Sequence, residues 1–196
     1  MMENNYIQPS SRPYFLNFKN ERESKINSLI NNLKINQVKD DSMFIETSER
    51  IKREILINPV EIGKPKLVDF SFEERALTME QSYSGFSKNH YHHQVSFTFS
   101  GDKELFSHIP EGGFSYGNLD RGLIIPNSNT LTIYIDLPEL NPDRAVEESY
   151  KLLSMTMQFV KNNNQSLQDW TIVIKQKIDD LLKLKREELI RIFGNE

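Results

Sequence analysis

Cysteine is absent from this 196-residue chain, so disulfides, thiolate nucleophiles and cysteine zinc sites are excluded. Long apolar runs are absent too, and no stretch approaches the roughly twenty apolar residues that cross a bilayer. Residues 1–19 hold Pro9, Pro13 and scattered aromatics (Tyr6, Tyr14, Phe15, Phe18). They lack both the basic start and the apolar centre of a signal peptide. Neither sign of charge dominates, with 24 Lys and Arg against 28 Asp and Glu, for a formal net charge of -4. A general electrostatic grip on nucleic acid is therefore not expected. Together these absences point to a cytoplasmic protein, and the wealth of Asn, Lys and Ile fits a bacterial one.

What is present suits one domain, or one domain with an extension. Hydrophobic residues make up 37% and charged residues 27%, the range of soluble globular chains. Residues 1–19 read as an irregular arm. Asn20, with Glu23 three residues on, has the pattern of a capping box and sets the start of a helix. Ile26, Leu29, Ile30 and Leu33 then recur at helical spacing. A second helix is predicted over Ser42–Ile57, where Phe44, Ser48, Ile51 and Ile55 share a face. Asn58-Pro59 ends it, because the residue before proline is pushed out of the helical region.

The period changes in the middle of the chain. From Leu67 the residues Val68, Phe70 and Phe72 alternate with polar neighbours, the pattern of a half-buried strand. Tyr91–Ser100 alternates more clearly: His93, Val95, Phe97 and Phe99 point one way, while His92, Gln94, Ser96 and Thr98 point the other. Gly101-Asp102 makes the turn. Leu119–Ile125 and Thr130–Asp136 read as a hairpin across Pro126-Asn127-Ser128-Asn129, with Leu131, Ile133 and Ile135 inward. The predicted class is α+β: a small antiparallel sheet of about four strands, two N-terminal helices and a long C-terminal helix. Residues 20–140 form the head in this reading, and 141–196 the helix.

Asn141-Pro142 starts that last helix, with Asp143, Glu147 and Glu148 near its positive end. Neither glycine nor proline occurs between Asp143 and Phe193. One register runs through Asn162-Asn163-Asn164, which favours a single helix of about fifty residues, roughly 75 Å long, over a hairpin broken there. In that register Val146, Leu153, Val160, Leu167, Ile174 and Leu181 take position d. Tyr150, Met157, Asn164, Thr171, Ile178 and Lys185 take position a. The pattern points to a homo-oligomer associating through Leu153, Val160, Asn164, Leu167, Ile174, Ile178 and Leu181. Asn164 at an a position suits a two-stranded register. Packing of the same stripe on the chain's own sheet and helices is the alternative, and Trp170, Ile172 and Val173 lie off the seam.

Three motifs bear on chemistry. His90 and His92 in His90-Tyr91-His92-His93 share one face of a strand, as two metal ligands would, but spacing supplies no third ligand from His108 or Asp102. Gly113-Phe114-Ser115-Tyr116-Gly117 matches the nucleophile elbow of hydrolases, yet every histidine precedes Ser115 and no helix pattern follows. Lys175, Lys177, Lys183, Lys185, Arg186 and Arg191 give the last helix a basic side. Asp179, Asp180, Glu187 and Glu188 interleave with them as i,i+4 partners, so nucleic-acid binding is not favoured. No catalytic, cofactor or metal residue is assigned on this basis.

The run Phe97-Thr98-Phe99-Ser100-Gly101-Asp102-Lys103-Glu104-Leu105-Phe106, with Pro110 after it, resembles a bacterial module in which a strand ends in Gly-Asp and a Leu-Phe pair and a proline follow. Phe159, Asn163, Leu167, Ile174, Ile178 and Lys185-Arg186 resemble that module's long helix. The resemblance implies the non-catalytic N-terminal part of an antiviral defence protein, with a nuclease-like or TIR effector domain beyond it. This chain ends at Glu196, so the expectation is either the bare module or a piece of something longer. The resemblance gives Gly101 a tight turn and makes Leu105, Phe106 and Pro110 anchors of the following loop. The expected function is thus a non-catalytic interaction and oligomerisation module, a scaffold or sensor with an effector as partner, without cofactor and without a membrane. A small metal-dependent or serine hydrolase using His90, His92 or Ser115 is the alternative, and a nucleic-acid-binding module a further one.

Overall fold

The computed structural model describes residues 6–7, 12–74, 89–111 and 123–193. Its elements follow in chain order as β1 (Tyr6–Ile7), α1 (Phe15–Asn31), α2 (Asp41–Ile55), β2 (Glu61–Glu74), β3 (Asn89–Ser100), β4 (Leu123–Ile124), β5 (Thr130–Leu137) and α3 (Pro142–Phe193). Short 3-10 turns lie at Ile35–Gln37 and Lys103–Phe106. The class is α+β, and among the described residues no helix is long and apolar enough to cross a membrane.

α3 runs for 52 residues and takes Asn162-Asn163-Asn164 in its stride. Pro142 sits at the first helical position, where its missing N–H is no loss. Asn141 caps the helix, its Oδ1 accepting the Arg144 N–H at 3.0 Å. α1 starts five residues before the predicted cap, so Asn20 lies inside the helix rather than at its end. Extended Tyr14 precedes it, and the Phe15 N–H donates to Ile109 O at 2.7 Å while the Ile109 N–H donates to Pro13 O at 2.9 Å. A tertiary contact therefore fixes where α1 begins.

The main sheet has three antiparallel strands in the order β2-β3-β5. The predicted hairpin into β5 does not form from Leu123 and Ile124. These two residues pair instead with Tyr6–Ile7, and both are fully buried. Thr156 Oγ1 accepts the Ile124 N–H at 3.0 Å and donates to Ile124 O at 3.3 Å, which ties this segment to α3 rather than to β5. An isolated Asn127–Thr130 bridge with Ser128 at φ 61° closes the turn before β5. Gly101 ends β3 at φ 92°, where a Cβ would lie 2.1 Å from Pro59 O. No side chain fits there.

One face of the sheet is covered. Val95, Phe97, Leu131 and Ile133 are buried with Leu153, Val160 and Leu167 of α3, together with Leu105, Phe106 and Phe15. The other face carries polar side chains, among them Ser96, Thr132, His92 and Asp136, and no described helix packs on it. A second core joins α1 and α2 to the later part of α3 through Ile26, Ile30, Ile51, Ile55, Ile174, Ile178 and Leu182. Trp170 packs against both cores.

Candidate functional site

The expected association seam faces inward. Leu153, Val160, Leu167, Ile174 and Ile178 are buried within their own chain, and Leu181 is half-buried against the second core. Asn164, expected to fix a dimer register, holds the backbone of the α2–β2 connection instead. Its Oδ1 accepts the Val60 N–H at 2.9 Å, and its Nδ2 donates to Val60 O at 2.7 Å. The seven-residue repeat of the sequence has a physical reading that excludes a supercoil. Counting in the register above, buried residues of the first half occupy c, d and g (Phe159, Leu153, Thr156). Those of the second half occupy a, d and e (Ile178, Ile174, Leu182). A straight helix drifts in this way, by about 20° per heptad. The stripe therefore serves intramolecular packing.

The histidines do not converge on one site. His92 stands on the uncovered face of β3, with Nδ1 against the Asp136 carboxylate of β5 and Nε2 3.2 Å from Glu73 Oε2 of β2. Both ring nitrogens are thus engaged by carboxylates, which binds three strands together across the sheet. His90 is on the same face, opposite Glu73 in the strand register. His93 points the other way and is fully buried; its Nδ1–H donates to Tyr91 O at 3.1 Å, and Nε2 has no partner among the described residues. His108 lies against α1, stacked on Phe18 at 4.9 Å, and its Nδ1–H donates to Glu104 O at 2.7 Å. Among the described residues no three His, Asp or Glu side chains are grouped to hold a metal ion. Ser115 lies outside the described residues. A shallow cavity of about 240 Å³ beside His92, lined by Asp69, Ser71, Gln94, Tyr134 and Asp136, is open and acidic.

Part of the basic side of α3 is also drawn into the fold. Lys177 pairs with Glu23 of α1 at 2.5 Å, and Arg186 pairs with Asp41 of α2 at 2.6 Å while lying over the Phe44 ring. Lys185 pairs with Glu188 at 2.9 Å. Two of the expected i,i+4 partnerships are therefore bonds between helices, and they neutralise charge that nucleic acid would need.

The residues that stand out lie elsewhere, at the far end of the sheet. Pro65, Leu67, Phe70 and Phe72 of β2 face the covered side, opposite Phe97, Val95, His93 and Tyr91. α3 does not reach the last of them, and Phe70 and Phe72 remain 51% and 52% exposed. Phe72 packs on Tyr91 with ring centroids 5.0 Å apart. Val68, predicted to share their face, sits at a bulge between Leu67 and Asp69 and is exposed as well. β2 pairs with β3 on one side, and among the described residues no strand pairs with the other. A free strand edge next to uncovered aromatics is the surface feature that sequence alternation alone did not reveal. Its one signal was the Lys64-Pro65-Lys66 start, an edge-strand composition. No family model, curated protein or solved structure matches the chain.

Proposed function

We propose that the chain is a non-catalytic interaction module that holds a protein partner on the outer edge of β2. The observation that carries this reading is the exposed Phe70 and Phe72 pair, with Val68 exposed at the bulge beside it, on a strand whose outer edge no described strand pairs. A contiguous apolar surface of that kind marks a contact site more often than an isolated exposed residue does. Strand addition supplies main-chain hydrogen bonds, and alternate side chains supply selectivity. The polar side chains with unusual potential support the same reading, since His92, His108, Asn163 and Asn164 all hold the fold together. A scaffold role in a bacterial defence system, with an effector as partner, belongs to this proposal through the resemblance of residues 97–106. α3 offers such a scaffold a rigid rod of 52 residues.

The test is a photo-crosslinking residue at position 68, introduced into the full chain in its native cells. A discrete adduct that disappears in the Phe70→Ser/Phe72→Ser double variant is the expected result. No adduct, or one indifferent to the double variant, would sink the reading.

A further inference from the structure

We infer that the partner at this edge is a second copy of the chain, paired antiparallel β2 to β2; this rests on the reading of the β2 edge as a contact site. The inference starts from the uneven charge of the strand. After Glu61 at its start, Lys64 and Lys66 lie in its first half, and Asp69, Glu73 and Glu74 in its second. A two-fold antiparallel pairing sets the first half of one strand against the second half of the other. Basic residues then meet acidic ones twice, once on each side of the axis.

The faces select the register. Lys66, Asp69, Ser71 and Glu73 share the uncovered side of the sheet, while Pro65, Leu67, Phe70 and Phe72 share the covered side. The bulge between Leu67 and Asp69 reverses the alternation at mid-strand. With the axis at that bulge, Lys64 faces Glu73 of the partner subunit, and Leu67 faces Phe70 of the partner subunit. Pro65 likewise faces Phe72 of the partner subunit, so both exposed rings gain an apolar neighbour. A shift of one residue in either direction sets Lys66 against an aromatic ring of the opposite face. The bulge that interrupts pairing with β3 is thereby the centre of symmetry of the pairing on the other side.

Charge exchange tests this directly. Lys64→Glu and Glu73→Lys are each expected to weaken self-association about tenfold, because like charges directly opposite are destabilising in both symmetric positions. An equimolar mixture of the two variants should recover dimer to within about twofold of the original chain, since each then supplies the other's missing charge. Light scattering reads both. Glu73→Lys also removes a partner of His92, so a second measurement avoids that residue. Val68→Cys mixed with Asp69→Cys should form an intermolecular disulfide in this cysteine-free chain, whereas Ile172→Cys on the outside of α3 should not. A chain that stays monomeric at every concentration reached overturns the inference, as does a mixture that fails to recover. The crosslink at position 68 separates the two proposals. An adduct of about 46 kDa, twice the 23.0 kDa chain, supports self-pairing; an adduct of another mass overturns it and leaves the contact site standing.

Discussion

The two halves of α3 meet different kinds of neighbour, and their buried residues differ accordingly. The first half packs against irregular chain as well as the sheet, and it buries Ser149, Thr156 and Asn163 at seven-residue intervals. Asn163 Nδ2 donates to Leu105 O and to His108 O, each at 2.8 Å. Thr156 serves Ile124 in both directions. The second half packs against α1 and α2 and buries Ile174, Ile178, Leu182 and Leu189. A helix neighbour has already satisfied its own backbone, whereas a loop neighbour arrives with free N–H and C=O groups. Thr156 and Asn163 thus mark where α3 holds irregular chain, whereas the residues it buries against α1 and α2 are aliphatic.

That contrast can be broken or sharpened by substitution. Ile178→Ala should have the largest effect, a loss of about 3–4 kcal/mol from a fully buried site. Ile178→Leu should cost less than about 1.5 kcal/mol, because volume is what matters there. Asn163→Ala should cost about 2 kcal/mol, since two buried carbonyls lose their donor. Asn163→Leu should recover none of it, because the loss is of hydrogen bonds rather than volume. Thr156→Val keeps the shape and removes the hydroxyl, at about 1 kcal/mol. Denaturant unfolding measures all five.

The smallest effect belongs to the exposed start of the helix. Lys151, hydrogen-bonded to Glu147 at 2.9 Å, holds that carboxyl below its ordinary value of 4.5. A carboxyl lowered on folding contributes above its unfolded pKa and loses that contribution as pH falls through the folded value. Glu147→Gln should therefore lower the melting temperature slightly at neutral pH and leave it unchanged at the acid end, so that the acid limb of the profile flattens.

Much of this fold was legible because its elements follow one period each. The alternation of Val95, Phe97 and Phe99 gave β3, and the unbroken apolar register through Asn162–Asn164 gave α3. Amphipathicity reports that a face is buried but not against what, so the seam of Leu153, Val160 and Leu167 was read as facing a second chain. The pairing of Leu123–Ile124 with Tyr6–Ile7 spans more than a hundred residues and leaves no local trace. The capping pattern at Asn20 misled because the first turns of α1 are set by Ile109 from another part of the chain. The exposed end of β2 was missed for a similar reason. Val68, Phe70 and Phe72 look half-buried by pattern, but how far α3 reaches over the sheet is decided by tertiary packing.

α3 belongs to both cores at once, and this has a consequence for how the molecule comes apart. Neither core can open while the other stays shut without stripping one side of a helix that isolated propensity would scarcely hold. The two cores should therefore melt as one cooperative unit, with no half-folded species between. Trp170, the sole tryptophan, touches both, so its fluorescence is a single reporter for the whole transition. Its unfolding curve should superimpose on the far-ultraviolet circular dichroism curve. Amide protons along the middle of α3 should then exchange only through global unfolding.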